Sequence, residues 1–143
     1  MSRDAYYEAL FTYLSVLKSQ GTVQTAERGV VALADVAEAD LPALFLVVAD
    51  QVYRPTQGFP AKRTLEALVF LYAARGDDGV TTAGAKVNAL LDAVEGVLQP
   101  APGFTQTLGG LAEWVRIDGT VQVFEGPDQT RAGAAVPIRM LIP

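Results

Sequence analysis

Residues 62–73 read Lys-Arg-Thr-Leu-Glu-Ala-Leu-Val-Phe-Leu-Tyr-Ala, and this stretch decides the fold. The side chains of residues 65, 67, 69 and 71 are apolar and share one face, which predicts a strand. The opposite face is also apolar from Leu68 onward, and only Thr64 and Glu66 interrupt it. We therefore expect a long strand whose second half is covered on both faces, by a helix on one side and by a neighbouring subunit on the other.

Two segments flanking this strand have the 3.6-residue spacing of amphipathic helices. Residues 3–19 carry one apolar stripe, and Ser2 precedes them as a candidate N-cap. Residues 83–98 carry the second stripe, with Thr81 or Thr82 as the cap and Pro100 after the end. The pattern predicts two helices with these bounds.

The segments before the long strand are less regular. Val23–Thr25 and Gly29–Leu33 are predicted as short strands, and 35–40 as a turn or a single helical turn. The apolar run Ala43–Ala49 predicts a buried strand. Two prolines and a glycine in Arg54–Pro60 predict a loop.

The C-terminal third predicts two more strands. Residues 114–125 alternate in polarity, and Asp118-Gly119 in their middle fits either a hairpin turn or a kink within one strand. The alternation keeps its phase across this dipeptide, which favours one kinked strand. Residues 134–142 form the last strand, and Pro137 predicts an edge position or an unpaired amide there.

This order of elements predicts an α+β fold. We expect a four- to five-stranded, mostly antiparallel sheet with two main helices packed on one face, and residues 1–143 as one domain.

Composition argues against an enzyme. The chain has no cysteine and no histidine, so thiolate zinc sites, cysteine nucleophiles and a Ser-His-Asp triad are excluded. It also lacks a Gly-x-Gly-x-x-Gly or P-loop pattern, and we expect no catalytic residue, cofactor or metal. The net charge is −5, and Arg54, Lys62 and Arg63 are too sparse a basic cluster for tight nucleic-acid binding. A polar N-terminus and short apolar runs predict no signal peptide and no membrane partner.

A few residues admit a functional and a plain interpretation. Phe59, between Gly58 and Pro60, either folds back onto its own core or inserts into a partner. Trp114 fits packing better than ligand stacking. Asp92 and Glu95 fit a solvated helix face, and the tripeptide at 75–77 is too common a turn sequence to indicate integrin binding.

An ordered set of segments resembles the tail completion proteins of phages and prophages, akin to the lambda-type tail terminator. The similarity runs over nearly the whole chain. The matching segments are, in order, Leu41-Pro-Ala-Leu-Phe-Leu-Val, Gly58-Phe-Pro-Ala-Lys-Arg-Thr-Leu-Glu-Ala-Leu-Val-Phe-Leu-Tyr-Ala, Val87-Asn-Ala-Leu-Leu-Asp-Ala-Val-Glu, Gln106-Thr-Leu-Gly-Gly-Leu and Val136-Pro-Ile. Residues 21–40 match only loosely.

The resemblance implies a structural virion protein that forms a hexameric ring at the head-proximal end of the tail and is assembled in the host cytoplasm. The ring would cap the tail tube, stop its polymerisation and join it to the head-side connector, with DNA passing through its channel without specific binding. Its implied partners are copies of itself, the major tail tube protein and the connector or neck protein. A head completion or neck subunit is the alternative, and a small-molecule enzyme or binding protein is a third hypothesis that would need a pocket with converging polar groups.

Two groups of residues are candidates for these contacts. Those predicted to contact a neighbouring subunit or the tube are Arg54, Gln57, Phe59, Lys62 and Arg63. Those predicted to face the channel are Asp77 and Asp78.

Overall fold

A computed structural model describes residues 2–126 and 128–143. Three helices flank and separate the strands: α1 (Arg3–Leu14), α2 (Val16–Ser19) and α3 (Ala83–Leu98). The six strands are β1 (Thr25–Arg28), β2 (Ala43–Thr56), β3 (Phe59–Ala74), β4 (Trp114–Ile117), β5 (Gln122–Glu125) and β6 (Arg131–Ile142). They form one sheet in the order β1-β2-β3-β6-β4, and β5 also pairs with β6. The predicted α+β fold is confirmed, and every strand pair except β1–β2 is antiparallel.

The central strand β3 has the two faces that its sequence predicts. Leu65, Val69 and the other odd-numbered residues between 65 and 73 are buried beneath the helices. On the opposite face, the even-numbered residues from Thr64 to Phe70 are half-buried, and Tyr72 is 3% exposed. None of the described α-helices packs on this second face, which we call the open face.

The two predicted helices begin at the predicted caps. Ser2 Oγ accepts from the amide of Ala5 at 3.3 Å, and Thr82 Oγ1 accepts from Ala85 at 3.1 Å. The first helix is interrupted at Ser15, whose hydroxyl donates to Phe11 O at 2.7 Å, so the predicted 3–19 helix is α1 followed by the single turn α2. Apolar stripes on α1 and α3 cover one face of the sheet, which removes apolar surface from water and forms the main core.

The segment between β1 and β2 covers one end of the open face. It contains 3-10 turns at Leu33–Asp35 and Glu38–Asp40, so the predicted strand at 29–33 is wrong. Val36 and Leu41 pack on Tyr72, whose hydroxyl donates to Val31 O at 2.8 Å. The chain therefore covers the Tyr72 end of β3 itself, and the predicted cover by another subunit applies only to the rest of the open face.

The kinked-strand prediction for residues 114–125 is confirmed, and the hairpin alternative is wrong. Both β4 and β5 run antiparallel to β6, and the break between them lies at Asp118–Val121. Gly119 adopts φ +123° in this break. Pro137 lies in an interior strand rather than at an edge. Its carbonyl accepts a hydrogen bond from the amide of Asp118 at 3.1 Å. Because the nitrogen and the carbonyl of one strand residue point to the same side, the nitrogen of Pro137 faces the kink. The break in the ladder removes the need for an amide hydrogen there.

The predicted loop at Arg54–Pro60 is wrong, because this segment is the end of a β-hairpin. Arg54 pairs with Lys62, and a two-residue turn at Gln57-Gly58 connects β2 to β3, with Gly58 at φ +81°. The register shifts between residues 54 and 56, next to the prolines. A bulge leaves residues unpaired, so it accommodates prolines that cannot donate to the ladder.

Candidate assembly interface

The hairpin formed by residues 53–63 projects beyond the body of the sheet. Strand β6 ends at Ile142, which pairs with Arg63, so β3 between Phe59 and Lys62 pairs only with β2. Four residues of strand extend by about 14 Å at the usual rise. A two-stranded ribbon has no sheet neighbour to bury its side chains, and an isolated one is only marginally stable in water.

The hairpin exposes aromatic and basic side chains together. Phe59 is 73% exposed and Tyr53 is 50% exposed. Arg3 donates to the hydroxyl of Tyr53, and this hydrogen bond lowers the pKa of the phenol. Lys62 pairs with Glu113 at 3.0 Å, which connects the base of the hairpin to the residue before β4. Aromatic and arginine side chains are the usual anchors of protein–protein interfaces.

The residues predicted to contact a subunit or the tube all lie on this hairpin. They are Arg54, Gln57, Phe59, Lys62 and Arg63, and only Arg63 is half-buried, with the other four exposed. The structure thus places Phe59 on the outside of its own subunit rather than in the core, which was the open alternative in the sequence. Their contact with a partner stays a prediction.

The predicted channel-facing pair, Asp77 and Asp78, lies in the turn after β3, at the opposite end of that strand. Strand β3 has 16 residues, so Phe59 at its start lies about 50 Å from the end that leads into this turn. Asp78 accepts from the amides of Val80 and Thr81 at 2.9 and 2.8 Å, and from the Thr81 hydroxyl at 2.6 Å. These hydrogen bonds, the Thr81 hydroxyl foremost, lower the pKa of Asp78 to about 2. Asp78 therefore holds its own turn in shape, whatever it faces.

A groove lies between the outer face of α3 and the edge strand β4. It has a volume of about 750 Å³ and an apolar floor that includes Leu91, Ile117 and Val121. Phe104, 45% exposed, and Trp114 form its aromatic wall. We call it the α3–β4 groove. The sequence offered no signal for it, because its residues come from three separate segments.

The charged residues at the groove divide into free and paired ones. Asp92 and Glu95 line it from α3, and among the described residues neither takes part in an ion pair. The cation at the rim, Arg116, stacks over Trp114 at 3.9 Å and pairs with Asp118 at 3.3 Å. Trp114 therefore packs against the guanidinium of Arg116 on the edge strand β4 rather than in the core.

The open face carries an ion-pair network beside an apolar strip. Arg139 lies 3.1 Å from Glu66 and 3.8 Å from Asp118. Next to this network, Leu68 and Pro137 pair across β3 and β6 and are half-buried. The described residues contain no group of three or more side chains able to hold a metal ion, and none of the described helices is long and apolar enough to cross a membrane.

No protein-family model matches the chain, and no curated protein is detectably similar to it in sequence. Solved structures do share the fold. A chain from the virion of a native gene transfer agent particle aligns with a TM-score of 0.55 and 10% identity, over 94% of this chain and 92% of that one. A second solved chain, which has no descriptive name, aligns with a TM-score of 0.55 and 19% identity, over 100% of this chain and 96% of that one. At these identities the likeness shows a shared fold.

Proposed function

We propose that the protein is a non-enzymatic structural component of a phage-like virion. The observation that carries this proposal is the likeness, over almost the whole of both chains, to a chain of a gene transfer agent virion. More than nine-tenths of each chain is covered, so the likeness concerns the whole fold rather than a shared motif. The tail-completion resemblance of the sequence points in the same direction.

Within that class, we propose a hexameric ring that caps the tail tube, stops its polymerisation and joins it to the head-side connector. In this proposal the unlike partners bind at the two ends of β3, where the exposed hairpin lies at one end and the acidic turn at residues 75–79 lies at the other. A capping subunit needs such surfaces, because it contacts its neighbours, the tube and the connector. Catalytic groups are not required for this role.

The charge of the chain suits a DNA conduit. Each copy carries a net charge of −5, so a ring of six copies is strongly acidic. Proteins hold DNA chiefly by neutralising its phosphates, and an acidic channel repels them. DNA therefore passes through without being retained, and in this proposal Asp77 and Asp78 contribute to the acidic lining.

Two measurements test the proposal. Size-exclusion chromatography with light scattering should show a hexamer, either in solution or after contact with tail tubes. Adding the protein to a polymerising tail tube protein should arrest polymerisation in proportion to the number of tube ends. A monomer that leaves tube growth unchanged would refute the proposed role, and a ring that binds the head portal but not the tube would favour a head completion subunit.

A further inference from the structure

Two separate surfaces of this chain are complementary to each other. One is the projecting hairpin, residues 53–63, and the other is the α3–β4 groove. The hairpin continues β2 and β3, whereas the groove lies on the far side of β6, against the edge strand β4. The tip of the hairpin points away from the sheet, although its base at Lys62 reaches Glu113 beside the groove. We propose that the hairpin of one copy docks into the α3–β4 groove of the next copy. This inference rests on the proposed ring and identifies the contact that builds it.

The first argument is apolar complementarity. Phe59 at the tip of the hairpin is 73% exposed, so its ring finds no cover within its own subunit. The groove offers an apolar floor with Phe104 and Trp114 as walls. Aromatic pairs in offset or edge-on contact stabilise an interface beyond the area that they bury. An aromatic anchor and a partly aromatic cleft of about 750 Å³ therefore suit each other.

The second argument is charge. Arg54 and Arg63 are on the hairpin, and within residues 2–126 and 128–143 neither takes part in an ion pair. The groove is lined by Asp92 and Glu95, which are also without ion-pair partners in that part of the chain. The groove's own cation, Arg116, is already engaged by Asp118. Opposite charges on the two surfaces steer encounter and set the register of docking.

The third argument is symmetry. A contact between two different patches is heterologous, so each copy uses its hairpin on one neighbour and its groove on the other. Such contacts close into a ring when the rotation between copies divides a full turn. A two-fold dimer would have to use both patches between the same two copies, and the hexamer expected in light scattering distinguishes the ring from such a dimer.

Disulfide trapping tests the contact directly, because the chain has no cysteine and each introduced thiol is the only one. Gln57→Cys in the hairpin turn and Asn88→Cys in the groove are made as separate proteins, since both positions are exposed and uncharged and both leave Phe59, Asp92 and Glu95 in place. Mixed in equal amounts and mildly oxidised, they should give a covalent dimer on a non-reducing gel. Each protein alone should give less than about a tenth of that yield, because thiols must approach within a few ångströms to bond. The matched control pairs Gln57→Cys with Glu38→Cys, an exposed residue in the second 3-10 turn.

Charge reversal gives a second readout. Arg54→Glu with Arg63→Glu on the hairpin, or Asp92→Lys with Glu95→Lys on the groove, should each raise the concentration needed for assembly by about tenfold or more. All four changes in one chain should restore assembly, and circular dichroism checks that each variant is folded. Rings that form without a cross-link in the mixture would overturn this docking while leaving the proposed ring intact. The absence of both rings and cross-links would overturn the two proposals together.

Discussion

Gly133 lies beneath two aromatic rings, and replacing it with alanine tests how the kinked edge strand packs on the sheet. A Cβ at this position would lie 2.6 Å from Phe124 Cε2 and 2.9 Å from Tyr72 Cδ1. Tyr72 is 3% exposed and held by its hydrogen bond to Val31, so it cannot move away. Phe124 is 37% exposed and can swing outward, giving up its edge-on contact with Tyr72. Overpacking of this kind costs about 1–3 kcal/mol.

A double-mutant cycle isolates the clash with Phe124. Phe124→Ala alone should cost about 1–2 kcal/mol, because the side chain is roughly two-thirds buried and full burial stabilises by about 1.5–3 kcal/mol. With Phe124→Ala already in place, Gly133→Ala should cost about 1 kcal/mol less than it does alone, since one of the two rings is gone. Urea unfolding followed by circular dichroism, at one protein concentration, measures all four free energies. Strict additivity would show that Phe124 does not cover Gly133, and the placement of β5 would be wrong.

Three further changes test the hairpin, the acidic turn and the kink. Phe59→Ala should change the free energy of unfolding by less than about 1 kcal/mol, yet it should abolish ring assembly in sedimentation. The control Phe45→Ala removes a buried ring and should cost about 3–5 kcal/mol. Equal destabilisation by both variants would contradict the exposed position of the hairpin. Asp78→Asn should lower the free energy of unfolding above about pH 4, and the difference from wild type should vanish toward pH 2. The reason is that the pKa of Asp78 in the folded protein, about 2, lies below the ordinary 3.8. In urea titrations, a loss of stability that persists at about pH 2 would show that the charge of Asp78 does not stabilise the turn. Gly119→Ala should cost about 1–3 kcal/mol in urea unfolding, because Gly119 has φ +123° and the new Cβ would lie 3.1 Å from Pro137 Cγ. An unchanged urea midpoint would exclude this strain.

The helices and the central strand could be predicted because their signals are local. The stripe on residues 83–98 and the Thr82 cap depend on neighbours within one or two turns, and the helix forms with those bounds. The two-faced pattern of residues 62–73 similarly predicts a strand with helices on one side. In both cases burial follows a period that the sequence itself displays.

The errors concern positions where pairing partners decide the structure. Pro55 and Pro60 favour a loop, yet a ribbon that projects into solvent accommodates them at a register shift. At Pro137 the sequence left two alternatives open, an edge strand or an unpaired amide position, and the second is correct: the strand lies inside the sheet, and the kink at Gly119 leaves no ladder bond to make there. Neither compensation is visible within a few residues of the proline.

The candidate interface likewise has a part that the sequence could predict, the hairpin, and a part that it could not, the α3–β4 groove. The hairpin residues form one continuous stretch of sequence, so a single aromatic between a glycine and a proline was enough to indicate them. The groove combines Asp92 on α3, Phe104 in a connection and Trp114 on β4, which only the fold brings together. Its acidic residues resemble an ordinary solvated helix face until the aromatic wall opposite them is seen.

Electron microscopy of tail tubes incubated with the protein tests the proposed role most directly. We predict that a ring with six-fold symmetry sits on one end of each tube, with the hairpin of each subunit against its neighbour, and that capped tubes no longer elongate. Bare tube ends together with monomeric protein in solution would contradict the account.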